Sequence, residues 1–547
     1  LEEDIMKKLI SLLMTLVLCV SFLSGCVFGG NDKEEDKTTP GVTQGATPDA
    51  SSNEGTTAPT DAAAVDESGL PPMTTEEITL TYMNFDSDVL TQELAKKFME
   101  KYPNIKVEST YVVVGDYETT LTNLIAAGTM PDAFMFGNAD YALSNKLLYD
   151  MTDLWNADPE NQNIMPTINE LAVGTFDSGR QWAAPIKYFP SAIYIDRTLM
   201  ETLNQPMPAT NWTWAEMIQL VKDTTDKTAS PAYYGIGGNI RLDSLYGIAA
   251  SQKIKGEFGW DGNGFNLGVW AIGEQEQADL KLNGYVAPSV DTIDMQNWLG
   301  DSAAWAGSSG RVALMAESYW TYMNLWDTDE YKKDLNINYV PYPVPSVEKV
   351  DGVANAVATL DMGGISASTE HPREAYELLK FMGWGADGWK AKLEIYQDES
   401  ITNASGAPLI RDAMPVPLTL DADVWAGYRA LYPTDDVDGP YWDNYFAAIT
   451  RPVPYGWMSI AGYWNFCVDY FNNINIHQKV DSGEKKAADY ADEATQQANE
   501  FHKQAMKEYF NIDWEPAVTG LFKTKRESLR FPRCLALAKQ KYITDYP

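Results

Sequence analysis

Residues 128–141 read GTMPDAFMFGNADY and combine a helix stop, an apolar run and a polar exit. Gly128 can stop a helix, because glycine adopts the left-handed cap at little cost. Pro131 then blocks helix re-entry. Asp132-Ala133-Phe134-Met135-Phe136 is short and mostly apolar, which predicts a strand buried on both faces. The chain turns polar immediately afterwards, with Gly137, Asn138 and Asp140. In open α/β sheets ligands bind just beyond the carboxyl ends of the strands, so this strand is expected to deliver Asn138 and Asp140 to a cleft.

The flanking sequence builds a sheet around it. Ile78 to Met83 reads as a first strand. Leu90, Leu94 and Phe98 recur at helical spacing up to Tyr102-Pro103, where proline ends the helix. Ile105, Val107, Ser109, Tyr111 and Val113 alternate as a second strand. Gly115 to Tyr117 leads into a helix with Leu121, Leu124 and Ile125 on one face. Strand, helix, strand, helix, strand implies a parallel sheet with right-handed crossovers.

Further on, Ala192 to Ile195 suits a strand, and the helix from Trp214 has Asn211 or Thr213 as its cap. Tyr233 to Ile236 is a short strand ending in Gly237-Gly238-Asn239, and Val312 to Met315 is a buried strand or helix edge followed by Glu317 and Trp320. Pro372 opens a helix whose face is Ala375, Leu378, Leu379 and Met382. Residues 400–460 read as long loops around helices. An alanine stripe from Ala487 to Ala505 predicts a final helix over Glu484 to Phe510.

A chain of 547 residues can bury two or more cores, and 45% hydrophobic with 22% charged residues is ordinary globular usage. The net charge of -36 argues against nucleic acid, whose phosphates need clustered Lys and Arg, and against an anionic membrane surface. The 17 Trp and 30 Tyr leave two readings open, a large core or a ligand surface of flat rings suited to sugar faces. Four cysteines, none in a CxxC pair, provide neither a disulfide framework nor a metal or redox motif. Three histidines, His371, His477 and His502, count against His-centred catalysis or metal binding, and no metal or cofactor is expected.

The two ends differ from the rest. Met6, Lys7 and Lys8 precede an apolar run from Leu9 to Leu23, the form of an export signal and too short for a membrane span. The acids Glu2, Glu3 and Asp4 within Leu1 to Ile5 are odd before such a region, and these five residues can be read as lying upstream of a start at Met6. Residues 27–75 hold almost no large apolar side chains and cannot fold alone. As a coil of about 49 residues they span roughly 40 Å root-mean-square. Gly520 to Pro547 is basic, read either as an appended or frame-shifted end or as a membrane-facing tail.

Two kinds of motif carry a resemblance. Leu23-Ser24-Gly25-Cys26 resembles a bacterial lipobox, which implies cleavage before Cys26 and a lipid on its thiol. The segments KFMEKYPNIKVEST, GDYETTLTNLIAAGTMPDAFMF and QWAAPIKYFPSAIYIDRTLME resemble bacterial extracellular solute-binding proteins of family 1, the maltose-binding-like receptors of ABC importers. So do NWTWAEMIQLVKD, SSGRVALMAESYW and ATLDMGGISASTEHPREAYELLKFM, so the blocks follow one another over roughly residues 76–385. The resemblance implies an α/β, two-lobed periplasmic-binding-protein-like (type II) fold with a ligand cleft between the lobes.

The implied division is a signal peptide over 1–25, a lipidated cysteine and tether over 26–75, and lobe I over 76–193 with a return over 356–400. Lobe II takes 194–355, residues 401–519 are shared, and 520–547 is a tail of unassigned status. The implied activity is capture of a small carbohydrate, an oligosaccharide, by a monomer held outside the cell membrane by its lipid, for delivery to ABC-importer permease subunits. By place in the family pattern, the ligand-binding candidates in lobe I are Phe85, Asp86, Asn138, Asp140, Lys187, Tyr188 and Asp361. Asn239, Glu317 and Trp320 are those of lobe II, and Trp457 belongs to the late loops. Against a contact stand plainer roles: Asp140 as a helix cap, Tyr188 or Trp320 as core, Gly363-Gly364 as backbone packing. The rival function is a secreted carbohydrate-active enzyme or a polysaccharide-binding surface module. Among 77 acids a catalytic pair cannot be found by counting. No P-loop or GxSxG elbow is present, Gly235 to Ile240 fails the dinucleotide pattern, and Asp261 to Gly264 reads as a turn rather than a calcium loop.

Overall fold

The computed structural model describes residues 69–516 apart from 86, 167, 169–175, 177, 239–241, 251–257, 349–355, 404–405, 407, 410–414, 451 and 455–459. Cys26, the tether up to residue 68, the basic tail, Asp86, Asn239 and Trp457 therefore lie outside the described residues. Residues 69–75, read as the end of the tether, already pack on the fold: Leu70 is fully buried, the Pro71 carbonyl accepts from Arg373 Nε at 2.7 Å, and the Thr74 amide donates to Glu374 Oε1 at 2.7 Å.

The first half-sheet forms as its sequence pattern dictates. Strand β1 (Ile78–Asn84) leads through helix α1 (Asp88–Lys101) to β2 (Ile105–Tyr111), then through α2 (Val114–Ala127) to β3 (Ala133–Phe136). Ser87 caps α1 by accepting from the Leu90 amide, and Gly128 ends α2 at a φ of 67°, a conformation glycine adopts without Cβ strain. β1 pairs parallel with both β2 and β3, as strand–helix–strand order requires. β3 is buried along its whole length but starts one residue later than its pattern suggests. Asp132 is an anchor instead: Oδ2 accepts from the Thr81 amide and hydroxyl, both at 2.8 Å, and Oδ1 from Thr369 Oγ1 at 2.6 Å.

The short helix α3 (Ala139–Ser144) follows β3, and β4 (Ala184–Asp196) then runs for 13 buried residues. Helix α4 (Trp214–Asp223) is capped by Thr213, not Asn211, in a reciprocal capping box with Glu216. β5 (Tyr234–Gly238), α5 (Leu242–Ala250), α6 (Leu267–Leu282), β6 (Val312–Ser318) and β7 (Tyr339–Tyr342) complete the middle of the chain. Asp261 to Gly264 is a turn, with Asp261 Oδ1 accepting from the Asn263 amide at 2.8 Å. The chain returns through β8 (Ala356–Ile365) and α7 (Pro372–Met382), which has proline in its first turn. Helices α8 (Ala386–Gln397), α9 (Ala422–Arg429) and α10 (Gly439–Ile449), strand β9 (Pro452–Pro454) and helix α11 (Ala491–Phe510) end it. The final helix thus starts at Ala491 rather than Glu484. A separate single turn at Ala487–Asp489 takes the first alanines of the stripe out of the helix.

The strand order is β2-β1-β3-β8-β4-β6-β5, with β7 beside β4 and β9 beside β8. β4 is the pivot of this arrangement. Its first half pairs antiparallel with β8, from Ala184 opposite Gly363 to Ser191 opposite Val357. From Ser191 to Ile195 it pairs with β6, and its last four residues also pair with β7. One strand therefore belongs to two half-sheets and changes neighbours at Ser191.

The aromatic excess is spent mainly on packing. Trp260, Trp270, Trp326, Trp384, Trp389 and Trp442 are fully buried. Residues 422–449 add a packed set in which Tyr428, Tyr432, Trp442 and Phe446 meet with ring centroids 4.8–5.9 Å apart, a spacing that favours tilted and edge contacts. Trp182, Trp298, Trp305, Trp425, Trp464 and Trp514 keep partial exposure.

Candidate functional site

The carboxyl ends of β1 and β3 and the middle of β4 and β8 converge where the two half-sheets meet. Lys187 and Asp361 are direct cross-strand partners on β4 and β8, and both are more than nine-tenths buried. Burial pushes the Asp361 carboxyl up to about 6, against the pull of the Lys187 ammonium. The Tyr82 hydroxyl is pushed up by burial and by the neighbouring Asp361 charge. A second ammonium, Lys392 on α8, is fully buried. It donates to the carbonyls of Met382 at 2.7 Å and Gly383 at 3.2 Å, which end α7, and lies 4.5 Å from the Trp389 ring. Burial, aided by Lys187, depresses its basicity strongly.

On the other side of the pivot, Ala192 of β4 faces Glu317 of β6. Glu317 is buried and accepts from Thr321 Oγ1 at 3.3 Å. Five residues of β4 separate the Lys187 and Glu317 registers, roughly 16 Å at strand rise. Between them Ser191 and Ser318 approach to 3.3 Å through their hydroxyls. This buried pair and Thr359 escaped the sequence reading, because a strand buried on both faces has no alternation to show where its polar groups gather.

The remaining candidates take identifiable positions. Phe85 is buried edge-on to Tyr117, 4.9 Å between centroids. Asn138 caps α3 by accepting from the Tyr141 amide at 3.1 Å, and its amide donates to Glu118 at 3.3 Å. Asp140 is 3% exposed. Its carboxylate accepts from the backbone amides of Gly462, Trp464 and Asn465, so it caps the turn that opens the helix Tyr463–Phe466 and ties α3 to the C-terminal region. Burial nevertheless lifts this carboxyl to about 6. The cap role foreseen for Asp140 is thus present, but on a helix over 300 residues away in sequence, while its own helix is capped by Asn138. Tyr188 is core, with its hydroxyl donating to the Ile449 carbonyl at 3.2 Å. Trp320 lies in the turn Tyr319–Thr321, and its side chain is not among those described. Gly363 and Gly364 are packing positions: a Cβ would stand 2.7 Å from Ile186 at the first and 2.4 Å from Leu148 at the second.

A sheet whose central strand serves two halves, with buried charge at the change of partner, defines the class of two-lobed α/β binding proteins. The family profile of bacterial extracellular solute-binding proteins matches residues 86–383, more than half of the chain, and the chain belongs to that family. It is similar, at 22% identity over 313 residues, to an uncharacterized ABC transporter extracellular-binding protein of Pyrococcus horikoshii; that alignment covers 53% of this chain and 63% of the relative. Among solved structures, it resembles an ABC substrate-binding protein of Listeria monocytogenes in complex with cycloalternan. The TM-score is 0.55 at 18% identity, over 78% of this chain and 99% of that one. The sugar-binding protein MalE of Xanthomonas citri is similar at a TM-score of 0.55 and 13% identity, over 78% and 98% of the two chains. These likenesses establish the two-lobed fold. No helix among the described residues is long and apolar enough to cross a membrane.

Proposed function

We propose that this chain is the extracytoplasmic receptor of an ABC importer and captures a carbohydrate, an oligosaccharide, between two closing lobes. The observation that carries the reading is the pivot strand: β4 pairs with β8 on one side of Ser191 and with β6 beyond it. Lobe I is then 76–193 with 356–400, lobe II is 194–355, and 401–519 is shared by the two. Cleft closure on a ligand is a hinge motion that a few residues at such a crossing can absorb. Asp361 and Lys187 on one side and Glu317 on the other supply paired acceptors and donors for vicinal hydroxyls, and Trp and Tyr faces cover the apolar side of a sugar ring. Anchoring through a lipid on Cys26, with residues 27–68 as a leash, would hold the receptor beside its permease subunits. The chain does no chemistry on its ligand.

Calorimetry of the purified chain against a panel of oligosaccharides tests this. The expected result is saturable binding of at least one saccharide, with a smaller radius of gyration by X-ray scattering when it is bound. Binding of peptides with no response to any saccharide would overturn the ligand class. Release of reducing sugar from a polysaccharide would favour the enzyme reading.

A further inference from the structure

We propose that Asp243, Glu274 and His477 form a binding site for a divalent first-row transition ion, with Zn²⁺ as its representative. The three residues come from three separate helices, α5, α6 and Ile476–Asp481, and none belongs to the candidate cleft. One ligand atom from each lies within 4.8 Å of the other two. In a tetrahedral shell with bonds near 2.1 Å, ligand atoms stand roughly 3.4 Å apart, so the set needs only a small contraction. His477 Nδ1 and Glu274 Oε1 are already 2.9 Å apart.

Three observations favour an ion over a self-satisfied polar cluster. Glu274 is fully buried, yet its Oε2 has no hydrogen-bond partner. An orphaned buried carboxylate oxygen costs stability unless something positive meets it. Asp481, on the same short helix as His477, approaches closely enough for its charge to act on Glu274; its Oδ2 pairs with Lys281 at 2.7 Å, while its buried Oδ1 has no partner. The surroundings also orient the set. Trp270 Nε1 donates to Asp243 Oδ2 at 3.3 Å, the kind of outer contact that fixes a carboxylate for ligation. Two hard carboxylates and one borderline imidazole form a small mixed set, suited to Zn²⁺, Mn²⁺ or Co²⁺ rather than to Ca²⁺, which takes six to eight oxygens. The sequence counted against a metal because its histidines are few and dispersed; here a single histidine suffices once folding brings two acids to it.

The test uses the untagged chain, stripped with a chelator and desalted. Titration with Co²⁺ should give a visible absorption band that saturates at one equivalent and is displaced by Zn²⁺. Glu274→Gln and His477→Ala should each weaken Zn²⁺ binding at least tenfold. A readout on the unaltered chain guards against misfolded variants: Zn²⁺ should protect His477 from diethyl pyrocarbonate, mapped by mass spectrometry, and leave the reactivity of His371 unchanged. Absence of a Co²⁺ band, a response to Ca²⁺ alone, or modification of His477 at the same rate with and without Zn²⁺ would each overturn the site. Saccharide binding is measured separately and does not bear on it.

Discussion

Replacing Asp140 by Asn should remove a pH dependence of stability that runs opposite to that of an ordinary paired carboxylate. A typical paired carboxylate has a lowered pKa in the fold and stabilises a protein at neutral pH. Asp140 is opposite: burial lifts its carboxyl from 3.8 to about 6 despite three amide donors. A raised folded pKa means that the fold holds the proton more tightly than the unfolded chain does. Its contribution is complete below pH 3.8 and is lost as the pH rises through 6. At about 1.4 kcal/mol for each tenfold change in proton affinity, the full effect is about 3 kcal/mol, of which about 2.5 is realised by pH 4. Asp140→Asn has no such titration. Asp196 and Asp361 are lifted by burial to about 6 as well, so the wild type alone cannot isolate the effect. Urea unfolding of both proteins at pH 7.5 and pH 4 does, because the shared groups cancel in the difference. The wild type should gain about 2.5 kcal/mol relative to Asp140→Asn on going to pH 4. A difference independent of pH, or one that grows in favour of the wild type at pH 7.5, would refute the reasoning.

Four further outcomes follow from the geometry. Asn161→Ala should cost about 2–4 kcal/mol in urea unfolding, since Asn161 bonds the Trp155 carbonyl at 2.7 Å, the Tyr376 hydroxyl at 2.9 Å and Trp384 Nε1 at 2.7 Å, all in the core. Gly388→Ala should lower stability by about 1–3 kcal/mol through overpacking, because its Cβ would stand 1.8 Å from the Phe381 carbonyl oxygen; an unchanged melting temperature would contradict this. Asp361→Asn should weaken saccharide affinity at least tenfold in calorimetry while Asp140→Asn leaves it within twofold, which separates a cleft acid from a capping acid. Cys26→Ala expressed in a bacterial host should move the protein from the detergent phase to the aqueous phase on Triton X-114 partition.

Local physics made much of the frame readable. The helix stop at Gly128, the proline opening α7 and the apolar spacing of α1 depend on neighbours within a turn, and the structure has them as expected. Chain order then required β1, β2 and β3 to be parallel, since antiparallel pairing does not fit helical crossovers. The expected final helix starts too early because the alanine stripe begins at Ala487, which belongs to a separate single turn, Ala487–Asp489, before the helix proper.

The sequence by itself determined the elements, the parallel first half-sheet and the family resemblance, because these rest on spacing along the chain. Tertiary structure alone decided what the polar groups outside the local caps and turns meet. Asp140 and the amides of residues 462–465 are joined across more than 300 residues, and Asp243, Glu274 and His477 across more than 200. No periodicity encodes such a meeting, because it is set by how buried helices and strands stack. The same holds for the tryptophans: composition left core and ligand surface equally open, and tertiary packing assigned six of the 17 wholly to the core. For the stretch GTMPDAFMFGNADY, the strand was legible in its apolar run, while the destination of Asp140 depended on a helix that arrives from the far end of the chain.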